Sequence, residues 1–299
     1  MGEKPFKSGF VALVGRPNVG KSTLLNRIIG EKVAITAAKP QTTRNRIPGI
    51  RTTQKAQIIF LDTPGIHKPK HKLGQHMIEV AKRALEEVDL ILFIVDSTVP
   101  LGRGDRFIAG YFATLKTPVF LVLNKTDLLS PADIARAQAE YSDLHSFAEI
   151  IPVSAVTGDN LALLEDRIIC YLPEGPQYYP DNMVTDQPER FIVAELIREK
   201  VLQLTRDEVP HSIAVEVQEM KEREEKNLIL VRANIYVERD SQKGIIIGRG
   251  GRMLKEIGLK ARVDIEHLLG CQVFLELWVK VRKDWRDSVE ALRNFGYDN

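Results

Sequence analysis

The chain has little of several things, and each scarcity excludes a class of protein. It holds only two cysteines, Cys170 and Cys271, far apart and in no metal-binding or redox pattern. A disulfide-built scaffold and a cysteine-ligated zinc site are therefore out, and a reducing compartment is expected. No apolar run reaches the roughly 18 residues of a membrane span, and Phe6–Val14, broken by Gly9, is too short for a secretory leader. The expected location is cytoplasmic. For the basic stretch Lys68–Lys72, weak peripheral contact with anionic lipid at the inner face of the cell membrane stands beside a solvated loop. An excess of one charge is missing as well. The net charge is +2, and residues 176–299 carry 20 basic and 22 acidic side chains. A polybasic duplex binder is excluded by that balance. There is no internal repeat and no low-complexity tail.

What is present is 299 residues with 44% hydrophobic content, enough for two cores. The run Phe10–Val14 reads as a buried strand. It leads into Gly15-Arg16-Pro17-Asn18-Val19-Gly20-Lys21-Ser22, then into apolar residues at helical spacing from Thr23 to Ile29, with Gly30 as C-cap. Strand, glycine loop and helix are the context of the GxxxxGK[ST] phosphate loop. Glycines let backbone N–H groups approach phosphate oxygens, and the helix N-terminus adds a positive dipole. Lys21 is expected on the β- and γ-phosphates, and Ser22 on Mg²⁺.

Three further apolar runs end in polar signals. Asp62-Thr63-Pro64-Gly65 closes Ile58–Leu61, where a carboxylate can hold Mg²⁺ and the Gly65 N–H can meet a γ-phosphate. Asn124-Lys125-Thr126-Asp127 closes Val119–Leu123. Asp127 can accept from N1–H and N2–H₂ of guanine, a donor pair that adenine lacks. Lys125 can lay its stem on the purine. Ser154-Ala155 follows Ile150–Val153, with the Ala155 N–H able to meet guanine O6. Between the first two motifs, Lys39–Arg44 offers a threonine that can close over Mg²⁺ and the γ-phosphate. Thr43 is the first choice and Thr42 the second. Lys21, Thr43 and Gly65 are the candidate catalytic residues, and Ser22, Thr43 and Asp62 the candidate metal ligands. Nucleotide contacts are expected from Gly15 to Thr23, from Asp62 to Ile66, from Asn124 to Asp127, and at Ser154 and Ala155. The position that holds a water-orienting glutamine in many GTPases is Ile66. His67, in a lysine-rich loop, is expected to be solvated rather than catalytic.

After Leu172 the character changes. Pro173–Pro180 can form neither helix nor central strand, so 175–187 reads as a linker between domains spanning 1–174 and 188–299. A helix from Glu189, alternating strands at His211–Gln218 and Asn227–Glu238, a charged tip at Glu219–Lys226, a helix over Met253–Leu269 and a strand over Gln272–Val281 are expected. Between them lies Ile245-Ile246-Ile247-Gly248-Arg249-Gly250-Gly251-Arg252. This Ile-Gly-x-x-Gly core resembles a type II KH module, whose glycine loop clamps the backbone of about four nucleotides. Ile246, Ile247 and Leu254 are expected to floor the groove, with Arg249, Arg252 and Lys255 facing the nucleic-acid backbone. Residues 243–262 carry six basic side chains against Glu256, a local charge of +5 around the loop. Trp278, on an alternating strand, is expected in the core, and Trp285 carries no clear expectation.

The strings GRPNVGKS, QTTR, DTPG, NKTD and VSA, followed by the glycine-loop module, resemble the Era-like GTPase family over the whole chain. The resemblance implies a P-loop GTPase domain with a mostly parallel α/β sheet, then a smaller α+β KH domain. It implies a slow GTPase that binds small-subunit (16S) ribosomal RNA near its 3′ end and assists assembly of the 30S subunit, as a monomer, under GTP or GDP control. Ordering of 41–44 and 65–74 by GTP, with a shift of the KH module, is the expected mode of control. In this family an apolar residue at the Ile66 position often goes with K⁺, held in part by the Asn18 position, so Mg²⁺ and K⁺ are the expected ions. The alternative is a GTP switch acting on a protein partner, with the KH module serving for packing.

Overall fold

A computed structural model of the chain describes residues 5–66, 69, 71–223 and 227–297. The expectations for His67, for Lys68 and Lys70, and for the hairpin tip at 224–226 lie outside the described residues. The chain divides into two units. One comprises Met1–Ala34, Thr43–Pro69 and Gly74–Asp186, and the other Ile35–Thr42, Lys70–Leu73 and Gln187–Asn299.

The first unit follows from its apolar runs. In chain order they give β1 (Lys7–Val14), α1 (Lys21–Ile29), β2 (Ile47–Thr52), β3 (Ala56–Asp62), α2 (Lys72–Glu86), β4 (Leu90–Asp96), α3 (Arg103–Phe112), β5 (Val119–Asn124), α4 (Pro131–Ser142), β6 (Glu149–Pro152) and α5 (Leu161–Tyr171). The sheet order is β2-β3-β1-β4-β5-β6, with β2 antiparallel to β3 and every other pairing parallel. Every residue of β3 and β5 is buried. A parallel sheet covered by crossover helices on both faces requires such continuous apolar strands. The order reverses at β1, so the loops after β1, β3, β5 and β6 gather at the carboxyl edge, where ligands of such folds sit. Stretch 175–186 is anchored along this unit rather than free. Ile50 N–H donates to Val184 O at 2.8 Å, and Tyr178 and Tyr179 N–H donate to Gln57 Oε1 at 2.8 and 2.9 Å. It thereby covers the β2 edge, which would otherwise offer unpaired backbone groups.

The second unit holds α6 (Glu189–Leu204), β7 (Ala214–Arg223), β8 (Leu228–Val237), α7 (Asp240–Ile247), α8 (Arg252–Leu269), β9 (Gln272–Val281) and α9 (Val289–Asn294). Its sheet is β7-β8-β9, with β7 antiparallel and β9 parallel to β8. The helix–strand–strand–helix–helix–strand order of α6 to β9 is that of a type II KH domain. β7 begins later and runs further than His211–Gln218, because Val209–His211 winds into a short 3₁₀ turn and the hairpin arm extends to Arg223. Apolar faces of α6, α7 and α8 close over one side of the sheet, joined by Ile35 from the short segment 35–42. Arg198 is fully buried on α6, where its guanidinium pairs with Glu195.

Trp278 departs from its expected core position, and Trp285, for which the sequence carried no expectation, is the buried one. Trp278 is 45% exposed, whereas Trp285 is fully buried and donates its indole N–H to Ser212 O at 2.9 Å. Phe295 packs edge-on against Trp285, and Tyr297 stacks on it. The inward face of β9 belongs to Val273 and Val279, so Trp278 necessarily points the other way. Trp285→Ala is expected to destabilise the second unit by about 3–5 kcal/mol, and Trp285→Phe by less, in urea unfolding followed by circular dichroism.

Candidate functional site

At the carboxyl edge of the first sheet, three side-chain oxygens converge. Ser22 Oγ lies 2.6 Å from Asp62 Oδ2 and 3.0 Å from Thr43 Oγ1, and Thr43 Oγ1 lies 3.2 Å from Asp62 Oδ2. Asp62 is fully buried, and its second oxygen has no hydrogen-bond partner among the described residues. Burial pushes its carboxyl upward, against the pull of Lys21 and the hydrogen bonds from Ser22 and Thr43. Hard oxygen donors around a carboxylate with an unsatisfied lone pair fit Mg²⁺. Of the two candidate threonines, Thr43 joins this cluster. Thr42 Oγ1 instead donates to Lys39 O at 2.6 Å.

Lys21 is buried beside the cluster, its ammonium 3.1 Å from Arg16 O and 3.4 Å from Gly15 O. Burial pushes its pKa down to about 8, partly offset by the Asp62 charge. Helix α1 starts at Lys21 without an acidic residue in its first turn and without a capping side chain. Its first N–H groups and its dipole suit an anion. Gly65 closes the far side. A Cβ there would sit 2.7 Å from Pro17 N, so only glycine lets the Asp62–Gly65 turn lie against the phosphate loop. Thr63 Oγ1 ties the same turn to Leu13 O at 2.7 Å. The Ile66 side chain departs from the expected nucleotide contact. It is buried in the sheet core, and its N–H donates to Gly15 O at 3.3 Å.

The base-reading elements meet through Asn124. Its amide donates to Val19 O at 2.8 Å and accepts from Ala155 N–H at 3.0 Å, linking the phosphate loop, the Asn124–Asp127 motif and Ser154-Ala155. Ser154 Oγ donates to Asp127 Oδ1 at 2.6 Å, fixing the carboxylate expected to read guanine. Lys125 pairs with Asp96, a partner at the end of β4 that sequence reasoning missed. The motif residues Arg16 to Thr23 and Asn124 to Asp127 thus share one edge.

In the second unit, Ile247 leads into Gly248 with φ 71°, and Gly250 and Gly251 are also left-handed. A Cβ on Gly248 would meet Met253 Cβ at 2.7 Å, so the turn into α8 needs glycine. Arg249, Arg252 and Lys255 are exposed around it. A groove runs between α8 and the edge strand β9, lined by Gly251, Leu254, Lys255, Leu259, Arg262 and Phe274. Leu254 and Lys255 line this groove. Ile246 does not, being fully buried in the core, and Ile247 packs against the same core. Ile246 turns inward because α7 buries one face against the sheet. Leu259, Arg262 and Phe274 were missed. The helical spacing 251, 254, 255, 258, 259, 262 was a readable signal for one wall; nothing in the sequence marks Phe274.

A phosphate loop, a magnesium-type oxygen cluster and guanine-reading motifs in one unit, with a GxxG groove in the other, define a P-loop GTPase carrying a KH domain. The model of the 50S ribosome-binding GTPase family matches residues 10–125, and that of the KH domain residues 208–286. A crystal structure of Era in complex with MgGDPNP and nucleotides 1506–1542 of 16S ribosomal RNA is 47% identical, covers 98% of this chain and 100% of its own, and has a TM-score of 0.95. A single-residue variant of Aquifex aeolicus Era bound to GDP·AlF4⁻ is 46% identical over the same shares, also with a TM-score of 0.95. The chain belongs to the Era family of GTPases.

Asn124→Ala leaves the Val19 carbonyl and the Ala155 N–H without their buried partner. Each loss costs about 1–3 kcal/mol, so GDP affinity by titration calorimetry is expected to fall roughly tenfold or more.

Proposed function

We propose that this GTPase binds small-subunit ribosomal RNA near its 3′ end through the KH groove and assists assembly of the 30S subunit, GTP and GDP setting the grip. The carrying observation is that the nucleotide cluster and an intact, locally basic GxxG groove occur on one chain. The Era relative bound to MgGDPNP and a 16S segment supports the reading.

Ser22, Thr43 and Asp62 would hold Mg²⁺, which supplies charge neutralisation on the β- and γ-phosphates. Lys21 and the first N–H groups of α1 bind the same phosphates. The Gly65 N–H would meet the γ-phosphate, and Asp127 with Ala155 would select guanine. Ile66 has no group to orient water and is turned into the core. Intrinsic hydrolysis is therefore slow, about 10⁻⁴–10⁻² s⁻¹. Asn18, held left-handed at φ 64°, is the candidate K⁺ ligand. GTP hydrolysis is expected to run faster in K⁺ than in Na⁺ buffer at equal ionic strength, and equal rates would remove K⁺ from the scheme.

A chain segment supports the switch. Residues 35–42 are fixed on α6: Thr36 N–H donates to Glu199 Oε1 at 2.8 Å, and the buried Arg198 donates to Thr42 O. The next residue, Thr43, belongs to the magnesium-type cluster. A γ-phosphate pulling on Thr43 thus acts through one peptide bond on a segment held by the KH-bearing unit. The reading places the chain in the cytoplasm as a monomer on nascent subunits, with membrane contact at most peripheral. RNA affinity by fluorescence anisotropy is expected to be at least about tenfold higher with a non-hydrolysable GTP analogue than with GDP. Gly248→Asp and Arg249→Glu should abolish it in both states; indistinguishable affinities would refute the switch.

A further inference from the structure

Beyond the groove, the outer face of the β7-β8-β9 sheet carries a feature that the core does not require. β9 presents Phe274, Glu276, Trp278 and Lys280 on that face, opposite the inward Val273 and Val279. Phe274 is 54% and Trp278 45% exposed. An aromatic of this size leaves a large apolar area in water when uncovered, and two of them on one strand face call for a partner. Around Trp278 lies a shallow depression lined by Gln218, Arg232, Asn234 and Lys280. Its floor is fixed. Arg232 is clamped between Glu219 Oε2 at 2.8 Å and Glu276 Oε2 at 2.6 Å. Asn234, directly across from Trp278, is buried and donates to the Tyr236 hydroxyl at 3.3 Å. Lys280 is exposed and forms no ion pair among the described residues.

We infer that this face is a second RNA contact, in which Trp278 stacks on an unpaired base and Lys280 meets the neighbouring phosphate. The inference rests on the RNA-binding reading above. Two observations select RNA. The first is continuity: β9 is the edge strand, Phe274 lines the GxxG groove, and Trp278 lies on the same strand face about 13 Å further along. A strand leaving a clamp of about four nucleotides along that edge reaches the tryptophan next. The second is chemistry. The core of a protein interface is depleted of charge, but here one tryptophan is ringed by Lys280, Arg232, Glu219 and Glu276. A displayed aromatic with an exposed cation beside it is the arrangement that stacks bases without reading their sequence.

The chain supplies its own probe, since Trp278 and Trp285 are its only tryptophans. In a W285F background all tryptophan emission comes from Trp278. The full chain, loaded with a non-hydrolysable GTP analogue, is titrated with two RNAs. One is a single strand of about six nucleotides that fills the groove, and the other is the same strand extended at both ends by unpaired purines. The extended RNA is expected to quench the emission and the short one not. W278A should lose roughly tenfold in affinity for the extended RNA and nothing for the short one, while W278F keeps most of it. R249E serves as control and should lose both. If R249E loses both RNAs while W278A matches the parent on both without quenching, the second contact is overturned and the groove reading stands. If R249E also binds both normally, the RNA reading itself falls. Unchanged RNA binding by W278A combined with lost binding of a purified small-subunit protein would assign the face to protein and overturn the inference.

Discussion

The first unit depends on a carboxylate placed where no carboxylate is comfortable. Asp62 ends a wholly buried strand, and among the described residues one of its oxygens has no hydrogen-bond partner. Ionised burial of that kind is costly without a cation or a full set of donors. Ser22 and Thr43 supply two hydroxyls, and Lys21 supplies a charge that the same burial has weakened. Cation and phosphate together would satisfy all four groups at once. Through these groups the phosphate loop, the threonine segment and the Asp62–Gly65 turn are tied to one another.

The threonine segment carries the consequence outward. Its residues 35–42 group with the second unit, where a buried arginine and a glutamate on α6 take up their backbone groups. A buried guanidinium that has lost its carbonyl partners is unfavourable, so detaching this stretch has a definite cost. Two attachments therefore meet between Thr42 and Thr43, one on α6 and one at the magnesium-type cluster.

In the second unit the decisive element is an edge strand. β9 pairs with β8 on one side only, and its other side borders the glycine-loop groove. Inward valines fix its register, and that register turns Phe274 and Trp278 to the opposite face. Trp285, four residues beyond the strand, is buried against Phe295 and Tyr297 and spends its N–H on Ser212. One tryptophan is structural and the other is displayed, and the alternation of β9 makes the choice.

The nucleotide site was legible in the chain because its parts are local. Glycine loop, Asp62 turn and Asn124–Asp127 each follow an apolar run, and each gathers its polar groups within a few residues adjacent in sequence. The mostly parallel sheet and the order of the KH elements were legible for the same reason, since strand runs and helical spacing repeat within a few residues. Burial was not. Periodicity states which side chains share a face, but which face is covered depends on elements distant in sequence. That is why Ile246 and Ile66 belong to cores, why Phe274 joins a groove, and why residues 35–42 sit on α6 rather than beside the phosphate loop they follow. The residues set the chemistry of each loop; only the packing of remote elements decided which of them face solvent, ligand or core.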